Sequence, residues 1–293
     1  MRVAITGASG RLGRALLRAF GRDAVPWRRP DYDLDVRGSA GVLVARDRPD
    51  LVVHAAAWTD VDACARDPEL AMRRNGIAVG ELATACAAAG IDLVLISTNE
   101  VFAGDRCDGA YQPDDEPAPI NPYGASKLAG ERAAREAFEG ARPRLLIVRT
   151  SWLFGEPGND FPERIVLAAR AASAAGKVLK VVEDEIGTPS DAGDVAQFIR
   201  ALVQSDKRRG TYHAVNAGRT SRADWALEVL RLAGESPTVV RVPLSSWRRD
   251  STPPRCAPLA PSVLDGAAPR TWQAATSAYV PVVLRHLGAE SPR

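Results

Sequence analysis

The sequence of this chain predicts a doubly wound α/β fold, with a parallel sheet between two layers of helices and a smaller C-terminal lobe. Over the first 150 residues, short aliphatic runs alternate with longer helical stretches, which is typical of parallel strands joined by crossover helices. The first of these runs leads directly into a glycine-rich loop. Beyond residue 150 the alternation loosens and prolines become frequent, which indicates shorter elements and a second lobe.

Five apolar segments are predicted to form the sheet, because they are short and aliphatic, as strands buried on both faces are. These strands run from Val3 to Thr6, Ala24 to Trp27, Leu51 to His54, Leu93 to Ser97 and Leu145 to Arg149. The helices of this region are predicted at Leu12 to Phe20, Ser39 to Arg46, Glu69 to Ala89 and Tyr123 to Phe138.

Four further helices are predicted in the later part of the chain. They span Phe161 to Ala174, Asp191 to Gln204, Ser221 to Ala233 and Trp272 to His286, and the second is expected to pack back onto the sheet. We therefore predict a first domain of residues 1–153 joined by about 181–212, and a smaller lobe of residues 154–180 and 213–293.

Length and charge limit the class of protein. With 293 residues, 46% of them hydrophobic, the chain can bury a sizeable core. Its 38 basic and 36 acidic residues nearly cancel, so we expect no nucleic acid or anionic membrane as a partner. There is no apolar run approaching 18 residues and no signal-peptide pattern, so we expect a cytoplasmic protein without a membrane span.

The cysteines and histidines do not have the spacing of metal ligands, so no metal is expected. The four cysteines are Cys64, Cys86, Cys107 and Cys256, and the three histidines are His54, His213 and His286. Without a CxxC pair, the cysteines are expected to be buried or incidental thiols in a reducing compartment. The histidines are expected in core or surface positions.

The glycine-rich loop after the first predicted strand opens a helix. It runs Gly7-Ala8-Ser9-Gly10-Arg11-Leu12-Gly13 and has the pattern GxxGxxG. Glycines permit the tight turn and let backbone amides approach a pyrophosphate, and the helix N-terminus adds unsatisfied N–H groups. We therefore expect a Rossmann-type dinucleotide site at Gly7, Gly10, Arg11, Leu12 and Gly13; a tight structural turn is the alternative.

The residues after the second predicted strand bear on the choice of cofactor. An NAD site places an acidic residue here to accept the ribose hydroxyls, but this chain has Arg28 and Arg29. Guanidinium groups match a ribose phosphate better than a diol, so NADP(H) is favoured, with NAD(H) or a solvated basic turn as alternatives. Asp35 and Val36 are expected to reach the adenine end, although Asp35 also suits a helix cap.

Tyr123 and Lys127 form a candidate catalytic pair. Because Pro122 suits the first turn of a helix, these two side chains, four residues apart, share one helical face. A phenol with a reference pKa of about 10 is a poor catalyst at neutral pH, and the neighbouring ammonium is expected to lower that pKa. The alternative for an isolated YxxxK pattern is a solvated helix face.

A hydroxyl group is predicted close to this pair. The fourth predicted strand ends in Ile96-Ser97-Thr98-Asn99, at the sheet edge where doubly wound proteins bind ligands. Thr98 is expected to hydrogen-bond a substrate carbonyl oxygen and stabilise charge on it during hydride transfer; an ordinary strand-end threonine is the alternative. Glycine loop, hydroxyl and YxxxK in this order predict an NAD(P)-dependent oxidoreductase.

Over nearly its whole length the chain resembles the extended short-chain dehydrogenase/reductase superfamily, and within it the dTDP-4-dehydrorhamnose reductase family. The matching stretches are Gly7 to Gly13, His54 to Asp62, Asn75, Ile96 to Thr98, Tyr123 to Glu131, Arg149 to Trp152, Val182 to Pro189 and Gly210 to Ala214. The resemblance implies a Rossmann domain that binds NAD(P)H and a C-terminal lobe that binds a nucleotide sugar.

The resemblance also implies roles for individual residues. Tyr123 would donate a proton to the C4 ketone of a nucleotide-linked 4-keto-6-deoxysugar, Lys127 would bind the nicotinamide ribose and tune Tyr123, and Thr98 would assist. Further cofactor contacts are implied at Ala55, Ala56 and Ala57, and substrate contacts are expected at Thr98, Asn99, Trp152 and Arg255. For Trp152, a core position is the alternative. Candidates for the diphosphate are Arg241, Arg248, Arg249 and Arg255, which otherwise face solvent.

Two segments depart from the family pattern. The family usually has Asp-Tyr after the catalytic threonine, whereas this chain has Asn99-Glu100, and Asn99 cannot carry the carboxylate charge expected beside Tyr123. An Arg-Pro-x-Asn-Ser-x-Leu stretch near the C-terminus is replaced here by Ala257 to Leu264. Both departures concern the tuning of proton transfer and the identity of the sugar.

Three functions follow from the sequence. The leading hypothesis is reduction of a nucleotide-linked 4-keto-6-deoxysugar. The second is an NAD-dependent sugar-nucleotide epimerase or dehydratase on the same fold, which would show no net NADPH oxidation. The third is a non-catalytic NADP-binding subunit, similar to the regulatory subunit of methionine adenosyltransferase, although intact Thr98, Tyr123 and Lys127 argue against it. The expected partners are a nucleotide-sugar substrate and, in a homodimer, a second copy of the chain.

Overall fold

The secondary structure alternates between strands and helices along the computed structural model, which describes residues 1–207 and 209–289. The strands are β1 (Val3–Thr6), β2 (Ala24–Trp27), β3 (Leu51–His54), β4 (Asp92–Thr98), β5 (Leu145–Thr150), β6 (Leu153–Phe154), β7 (Leu179–Val182), β8 (Ile186–Gly187), β9 (Ser190–Asp191), β10 (Arg209–His213), β11 (Thr220–Ser221) and β12 (Val239–Val242). The helices are α1 (Arg11–Phe20), α2 (Ser39–Asp47), α3 (Val61–Arg66), α4 (Pro68–Met72), α5 (Ala78–Ala88), α6 (Pro122–Ala137), α7 (Phe161–Ala174), α8 (Ala192–Gln204), α9 (Arg222–Ala233) and α10 (Trp272–Ala289).

Six strands form the central parallel sheet, in the order β10-β5-β4-β3-β1-β2. The chain proceeds outward from β1 to β2, then crosses to β3 on the other side of β1 and continues outward through β4 and β5. The direction of winding therefore changes between β1 and β3. In such sheets the crevice at the carboxyl ends of the strands next to this point is where ligands bind.

Helices cover both faces of the sheet, which is the doubly wound arrangement that the sequence predicts. On one face α1 and α8 bury Leu16 and Ile199 against Ile5 of β1. On the other face α2 and α5 bury Leu43 and Leu82. Each such side chain contributes roughly 1.5–3 kcal/mol when it is fully removed from water, so these two layers account for much of the stability of the sheet.

All five predicted strands are present, but the sixth strand, β10, was missed. Its residues Arg209 to Tyr212 are exposed or half-buried and only His213 is fully buried, because β10 lies at the edge of the sheet. An edge strand does not need the continuous apolar run that marks β3 or β4. The signal used to predict strands was therefore absent.

The helix predicted from Glu69 to Ala89 is interrupted. A π-helical turn at Arg73–Ile77 separates α4 from α5, and it contains the buried Asn75. The side chain of Asn75 accepts a hydrogen bond from the amide of Trp58 at 2.8 Å and donates to the Ser126 hydroxyl at 3.2 Å. The wider turn thus places a polar side chain between the loop after β3 and α6. Helix α3, capped by Asp60, was also missed.

The C-terminal half contributes a separate hydrophobic cluster. Phe154, Trp225 and Val283 are buried together where α7, α9 and α10 pack, and β7 pairs with β12 beside them. The helices predicted here are present, with Asp191 and Ser221 acting as N-caps of α8 and α9. The predicted division into two domains at residue 153 stays a prediction. Residues 208 and 290–293, which fall within the predicted domains, lie outside the described part of the chain. Among residues 1–207 and 209–289, no helix is both long and apolar enough to cross a membrane.

One expectation about the cysteines is wrong. Cys107 and Cys256 form a disulfide across 149 positions of sequence, whereas Cys64 and Cys86 are buried free thiols as expected. The disulfide joins the loop after β4 to the residue just before the segment Ala257 to Leu264. Backbone hydrogen bonds lie beside it, such as that from Cys256 N to Gly104 O at 2.8 Å. Sequence spacing does not reveal a pairing that only tertiary contacts create. The compartment of the protein stays a prediction.

We predict that Cys107→Ser lowers the free energy of unfolding by about 2–4 kcal/mol, because the long loop is no longer closed in the unfolded chain. Urea denaturation with and without dithiothreitol measures this. Reduction of the disulfide by dithiothreitol should lower the stability of the wild type to that of the variant. Dithiothreitol should not change the stability of the variant, which serves as the control for other effects of the reagent. Equal effects of dithiothreitol on both proteins would contradict the disulfide.

Candidate active site

A cleft of about 590 Å³ opens at the carboxyl ends of the strands beside the switch between β1 and β3. It brings together most of the residues predicted to be functional, although they come from distant parts of the sequence. The predicted residues that line it are Gly7, Gly10, Arg11, Leu12, Gly13, Arg28, Arg29, Ala55, Ala56, Ala57, Thr98, Asn99, Tyr123, Lys127 and Trp152. The predicted residues that do not line it are Asp35, Val36 and Arg255.

The glycine loop forms a tight cradle at one end of the cleft. Gly7 has φ +62°, and a methyl group on Gly13 would lie 2.1 Å from the carbonyl oxygen of Gly7. Helix α1 starts after Gly10 without a side-chain cap, so its first N–H groups point towards the cleft unsatisfied. The close backbone approach and the uncapped helix fit a pyrophosphate. The Arg11 side chain instead donates to Gly158 O at 2.7 Å.

Arg28 and Arg29 lie at the same end of the cleft and are exposed. Within residues 1–207 and 209–289, no carboxylate forms an ion pair with either of them, so both guanidinium groups are available to a ribose phosphate. The prediction for Asp35 is not supported by its position. Its carboxylate binds Arg74 at 2.5 and 2.8 Å, and this bond lowers the pKa of Asp35. Val36 is 57% exposed beside it.

Helix α6 delivers Tyr123 and Lys127 to the middle of the cleft. Asn121 caps the helix by accepting from Gly124 N at 2.8 Å, and Pro122 occupies the first turn. Both predicted catalytic side chains are buried, and Lys127 Nζ donates to the carbonyl oxygen of Ile96 at 2.8 Å. Burial lowers the pKa of Lys127 to about 8, against an opposing effect of Glu131.

The pKa of Tyr123 is shifted in the direction opposite to expectation. Burial and then the charge of Glu100 raise the pKa of Tyr123, and the neighbouring Thr98 hydroxyl only partly offsets them. Lys127 does not contribute to this shift of the Tyr123 pKa, and its ammonium donates to the Ile96 carbonyl. Tyr123 is therefore a protonated phenol in this state, which suits a proton donor to a ketone oxygen.

The end of β4 supplies polar groups next to the phenol. Thr98 Oγ1 accepts from Glu100 N at 3.2 Å and donates to Asn99 Oδ1 at 3.4 Å. Asn99 in turn donates to Ala257 O at 3.3 Å, so its amide side chain links β4 to the C-terminal segment. Thr98 and Asn99 both lie at the cleft, as predicted from the sequence, and their contacts with substrate stay predictions.

Glu100 lines the cleft but was not among the predicted site residues, although the sequence marked its position as unusual. Its Oε2 accepts a hydrogen bond from Asn121 Nδ2 at 2.7 Å. Burial and the nearby Glu185 raise the pKa of Glu100, while this hydrogen bond and the charges of Arg249 and Arg222 act in the opposite direction. The cleft therefore holds a second acid–base group beside Tyr123.

The arginine at the far end of the cleft is Arg222, which sequence reasoning missed. Its guanidinium carbon lies 3.6 Å from the centroid of the Trp152 ring, and its Nε donates to Glu185 at 3.2 Å. The four arginines considered as diphosphate ligands do not line the cleft: Arg241, Arg249 and Arg255 pair with Asp224, Asp62 and Asp184, and Arg248 is exposed. In sequence, nothing distinguishes Arg222 from these four residues.

Trp152 forms the wall between the cleft and the C-terminal cluster. Its backbone has φ +41°, and its ring stacks on Trp225 with a centroid distance of 5.9 Å. A methyl group on Gly187 would lie 2.4 Å from the ring, so glycine is required there. Trp152 therefore packs on Trp225 of the core and under the Arg222 guanidinium, which also lies 5.9 Å from the centroid of the Trp225 ring. The predicted contact with substrate remains a proposal.

Three hydroxyl groups near the ends of β4 and β5 have no hydrogen-bond partner in the described part of the chain. They belong to Ser97, Thr150 and Ser151, and all three residues line the cleft. A buried polar group without a partner costs roughly 1–3 kcal/mol, so such groups are normally satisfied by water or a ligand. Together with the glycine cradle, these groups fit a large polar ligand such as a dinucleotide.

Comparison with known proteins gives consistent results. The profile of the family described as RmlD substrate binding domain matches residues 1–284. A dTDP-4-dehydrorhamnose reductase of Mycobacterium tuberculosis is 36% identical over 287 residues, covering 94% of this chain and 90% of that protein. The solved dTDP-4-dehydrorhamnose reductase of Clostridium acetobutylicum superposes with a TM-score of 0.88 at 29% identity, covering 97% of this chain and 100% of that one. The Bacillus anthracis enzyme, solved in complex with NADP, has a TM-score of 0.87 at 31% identity, covering 96% and 99%.

We predict that Gly13→Ala abolishes dinucleotide binding, because the added methyl group meets the Gly7 carbonyl and forces the cradle apart. Titration with NADPH followed by fluorescence measures the loss. Gly41→Ala is the matched control, since nothing lies within 4 Å of a methyl group at this exposed position in α2. Tight NADPH binding by Gly13→Ala would show that the loop does not hold the cofactor.

Proposed function

The chain belongs to the RmlD substrate binding domain family, and on this premise we propose that it uses NAD(P)H to reduce the C4 ketone of a nucleotide-linked 4-keto-6-deoxysugar. The observation that carries the proposal is that Thr98, Tyr123 and Lys127 meet in the cleft that also contains the glycine cradle. A proton donor and a dinucleotide site in one cleft are the two requirements of carbonyl reduction by hydride.

The cofactor would lie along the sheet edge with its pyrophosphate on Gly7 to Gly13 and its ribose phosphate at Arg28 and Arg29. The Bacillus anthracis relative was solved with NADP, which supports NADP(H) as the preferred cofactor, and NAD(H) remains the alternative. When bound, the cofactor supplies the hydride for the ketone carbon. Ala55, Ala56 and Ala57 would pack beside it, and their small side chains leave room for it.

Tyr123 would donate its proton to the ketone oxygen. Its raised pKa keeps the phenol protonated over the physiological range, and burial keeps water away from the transferred proton. Thr98 would hydrogen-bond the same oxygen and stabilise the charge that develops on it. Lys127 would contact the nicotinamide ribose through its ammonium, which in this structure donates to the Ile96 carbonyl.

The substrate would lie between the end of β4 and the C-terminal lobe, with Trp152 against its sugar and Arg222 near its phosphates. Arg222 replaces Arg255 as the arginine proposed for this end of the cleft, because it lines the cleft whereas Arg255 is paired with Asp184 at the surface. In this proposal residues 1–153 with 181–212 bind the cofactor, and the remaining residues complete the substrate site. A homodimer and a cytoplasmic location stay predictions.

We predict that Tyr123→Phe lowers kcat for reduction by about 10²–10⁴-fold, because no other group delivers the proton to the ketone. The measurement is NADPH oxidation in the presence of dTDP-4-keto-6-deoxysugars. The affinity for NADPH should change little, since only the hydroxyl is removed. Tyr212→Phe, on the edge strand β10, is the control and should retain full activity. Unchanged turnover of Tyr123→Phe would refute its role.

We predict that Arg28→Ala combined with Arg29→Ala removes the preference for NADPH. Each lost charge-assisted hydrogen bond to the ribose phosphate contributes about 1.5–3 kcal/mol, so KM for NADPH should rise at least about tenfold. KM for NADH should be little affected. Arg22→Ala, an exposed arginine outside the cleft, is the control. The ratio of kcat/KM for the two cofactors decides the outcome, and an unchanged ratio would show that these arginines do not select the cofactor.

A further inference from the structure

Glu100 is placed in the cleft by a rigid backbone. It lies two residues after Thr98, in a 3-10 turn at Asn99–Val101 that follows β4. The Thr98 hydroxyl accepts its amide hydrogen, and helix α6 packs so closely that a methyl group on Gly124 would lie 2.0 Å from the Glu100 carbonyl oxygen. The turn is therefore packed directly against α6, with the Glu100 carboxylate near enough for its charge to act on Tyr123.

Only one carboxylate oxygen of Glu100 is occupied. Oε2 accepts from Asn121 Nδ2, which also donates to Thr252 O at 3.1 Å. For Oε1, the described residues provide no hydrogen-bond donor. Since Glu100 lines the cleft, the free lone pairs of Oε1 are available to a ligand there.

Burial raises the pKa of Glu100 and is the largest cause of its shift. The charge of Glu185 acts in the same direction, while the hydrogen bond from Asn121 and the charges of Arg249 and Arg222 lower the pKa. A carboxylate that holds a proton more tightly is a stronger base than one in water. Reduction of a ketone requires a hydride and one proton. Because Tyr123 supplies that proton, Glu100 has no role in the proposed reduction.

We propose that Glu100 and Tyr123 form an acid–base pair that exchanges the hydrogen on a carbon next to the substrate ketone, an activity in addition to reduction. This inference rests on the proposed function, because it needs the same keto sugar in the cleft. Glu100 removes the proton from the adjacent carbon, and the electron pair of that C–H bond forms the carbon–carbon double bond of an enol. The Tyr123 proton moves to the ketone oxygen. The carboxyl of Glu100, which lines the cleft, then exchanges its proton with water. In the return step this new proton adds to the carbon and Tyr123 recovers its own from the enol oxygen, so no oxidant or reductant is consumed.

The electrostatic coupling between the two groups favours this exchange. Before transfer Glu100 is negative and Tyr123 neutral; afterwards Glu100 is neutral and Tyr123 is negative. The repulsion by Glu100 that raises the pKa of Tyr123 disappears when Glu100 takes up a proton, so the phenol loses its proton more readily at that moment. The pair keeps one negative charge throughout, and the buried site never has to hold two.

The structural alternative is that Glu100 only holds Asn121 at the N-terminus of α6. The two roles are distinguished by incubating the protein with NADP⁺ and dTDP-4-keto-6-deoxyglucose in D₂O and following deuterium incorporation next to the ketone by NMR. NADP⁺ fills the cofactor site without supplying a hydride. We expect incorporation at least about tenfold faster than in a protein-free control, and about 100-fold slower in Glu100→Gln than in the wild type.

Controls separate chemistry from folding. Glu228→Gln removes a carboxylate on α9 that pairs with Arg231 outside the cleft, and it should exchange at the wild-type rate. Binding of NADPH, measured as an increase in Tm, checks that Glu100→Gln is folded. If that variant does not fold, Glu100→Asp retains a carboxylate on a shorter side chain and should show reduced exchange. Tyr123→Phe should also lose exchange, because the pair acts together.

The outcomes are distinguishable from those of the reductase assay. Wild-type protein that oxidises NADPH with the keto sugar but incorporates no deuterium above the protein-free rate overturns the exchange activity and leaves the reductase intact. Exchange that persists in folded Glu100→Gln overturns the role of Glu100. Exchange without NADPH oxidation supports the acid–base pair and contradicts the reductase. Absence of both activities contradicts both proposals.

Discussion

The close packing of α6 against the turn after β4 is the constraint on which the site depends. Gly124 and Gly130 face the carbonyl oxygens of Glu100 and Asn75, and a methyl group at either glycine would come within 2.0 or 2.4 Å of them. With the helix packed in this way, Lys127 Nζ lies 2.8 Å from the Ile96 carbonyl oxygen. This packing also explains the π-helical turn at Asn75, which must fit against the same helix. The catalytic helix is therefore positioned by backbone contacts that any larger residue would disrupt.

This tight packing has electrostatic consequences. Tyr123 and Lys127 are removed from water, which raises the pKa of the phenol and lowers that of the ammonium, so both shifts favour the uncharged forms. Burial also disfavours the charged form of Glu100. A cleft whose acid and base groups are held in place away from water can accept the charge that develops on a ketone oxygen with little solvent reorganisation. The buried ion pair between Glu131 and Arg149 lies one turn beyond Lys127 on the same face of α6 and joins the helix to β5.

The parts of the structure that could be predicted from the sequence are those determined locally. The periodicity of buried strands is visible in a few residues, and the glycine loop and YxxxK each lie within one element, so the fold and most of the cleft were predicted. The disulfide between Cys107 and Cys256 and the cleft position of Arg222 depend on contacts between distant segments, which leave no local pattern. The direction of the Tyr123 pKa shift was also wrong, because burial of the phenol and the nearby charge of Glu100 depend on tertiary contacts that the spacing of Tyr123 and Lys127 does not show.

The two departures from the family pattern, at Asn99-Glu100 and at Ala257 to Leu264, meet in space. Asn99 Nδ2 donates to the Ala257 carbonyl oxygen, a bond that an aspartate carboxylate could not make because it has no hydrogen to donate. The next residue, Glu100, binds Asn121, which also donates to Thr252 in the same C-terminal segment. A carboxylate at position 99 would instead face a carbonyl oxygen across a buried contact, at the cost of an unpaired charge. In this chain the carboxylate whose charge acts on Tyr123 is therefore that of Glu100, which has an amide donor in Asn121 and faces the cleft.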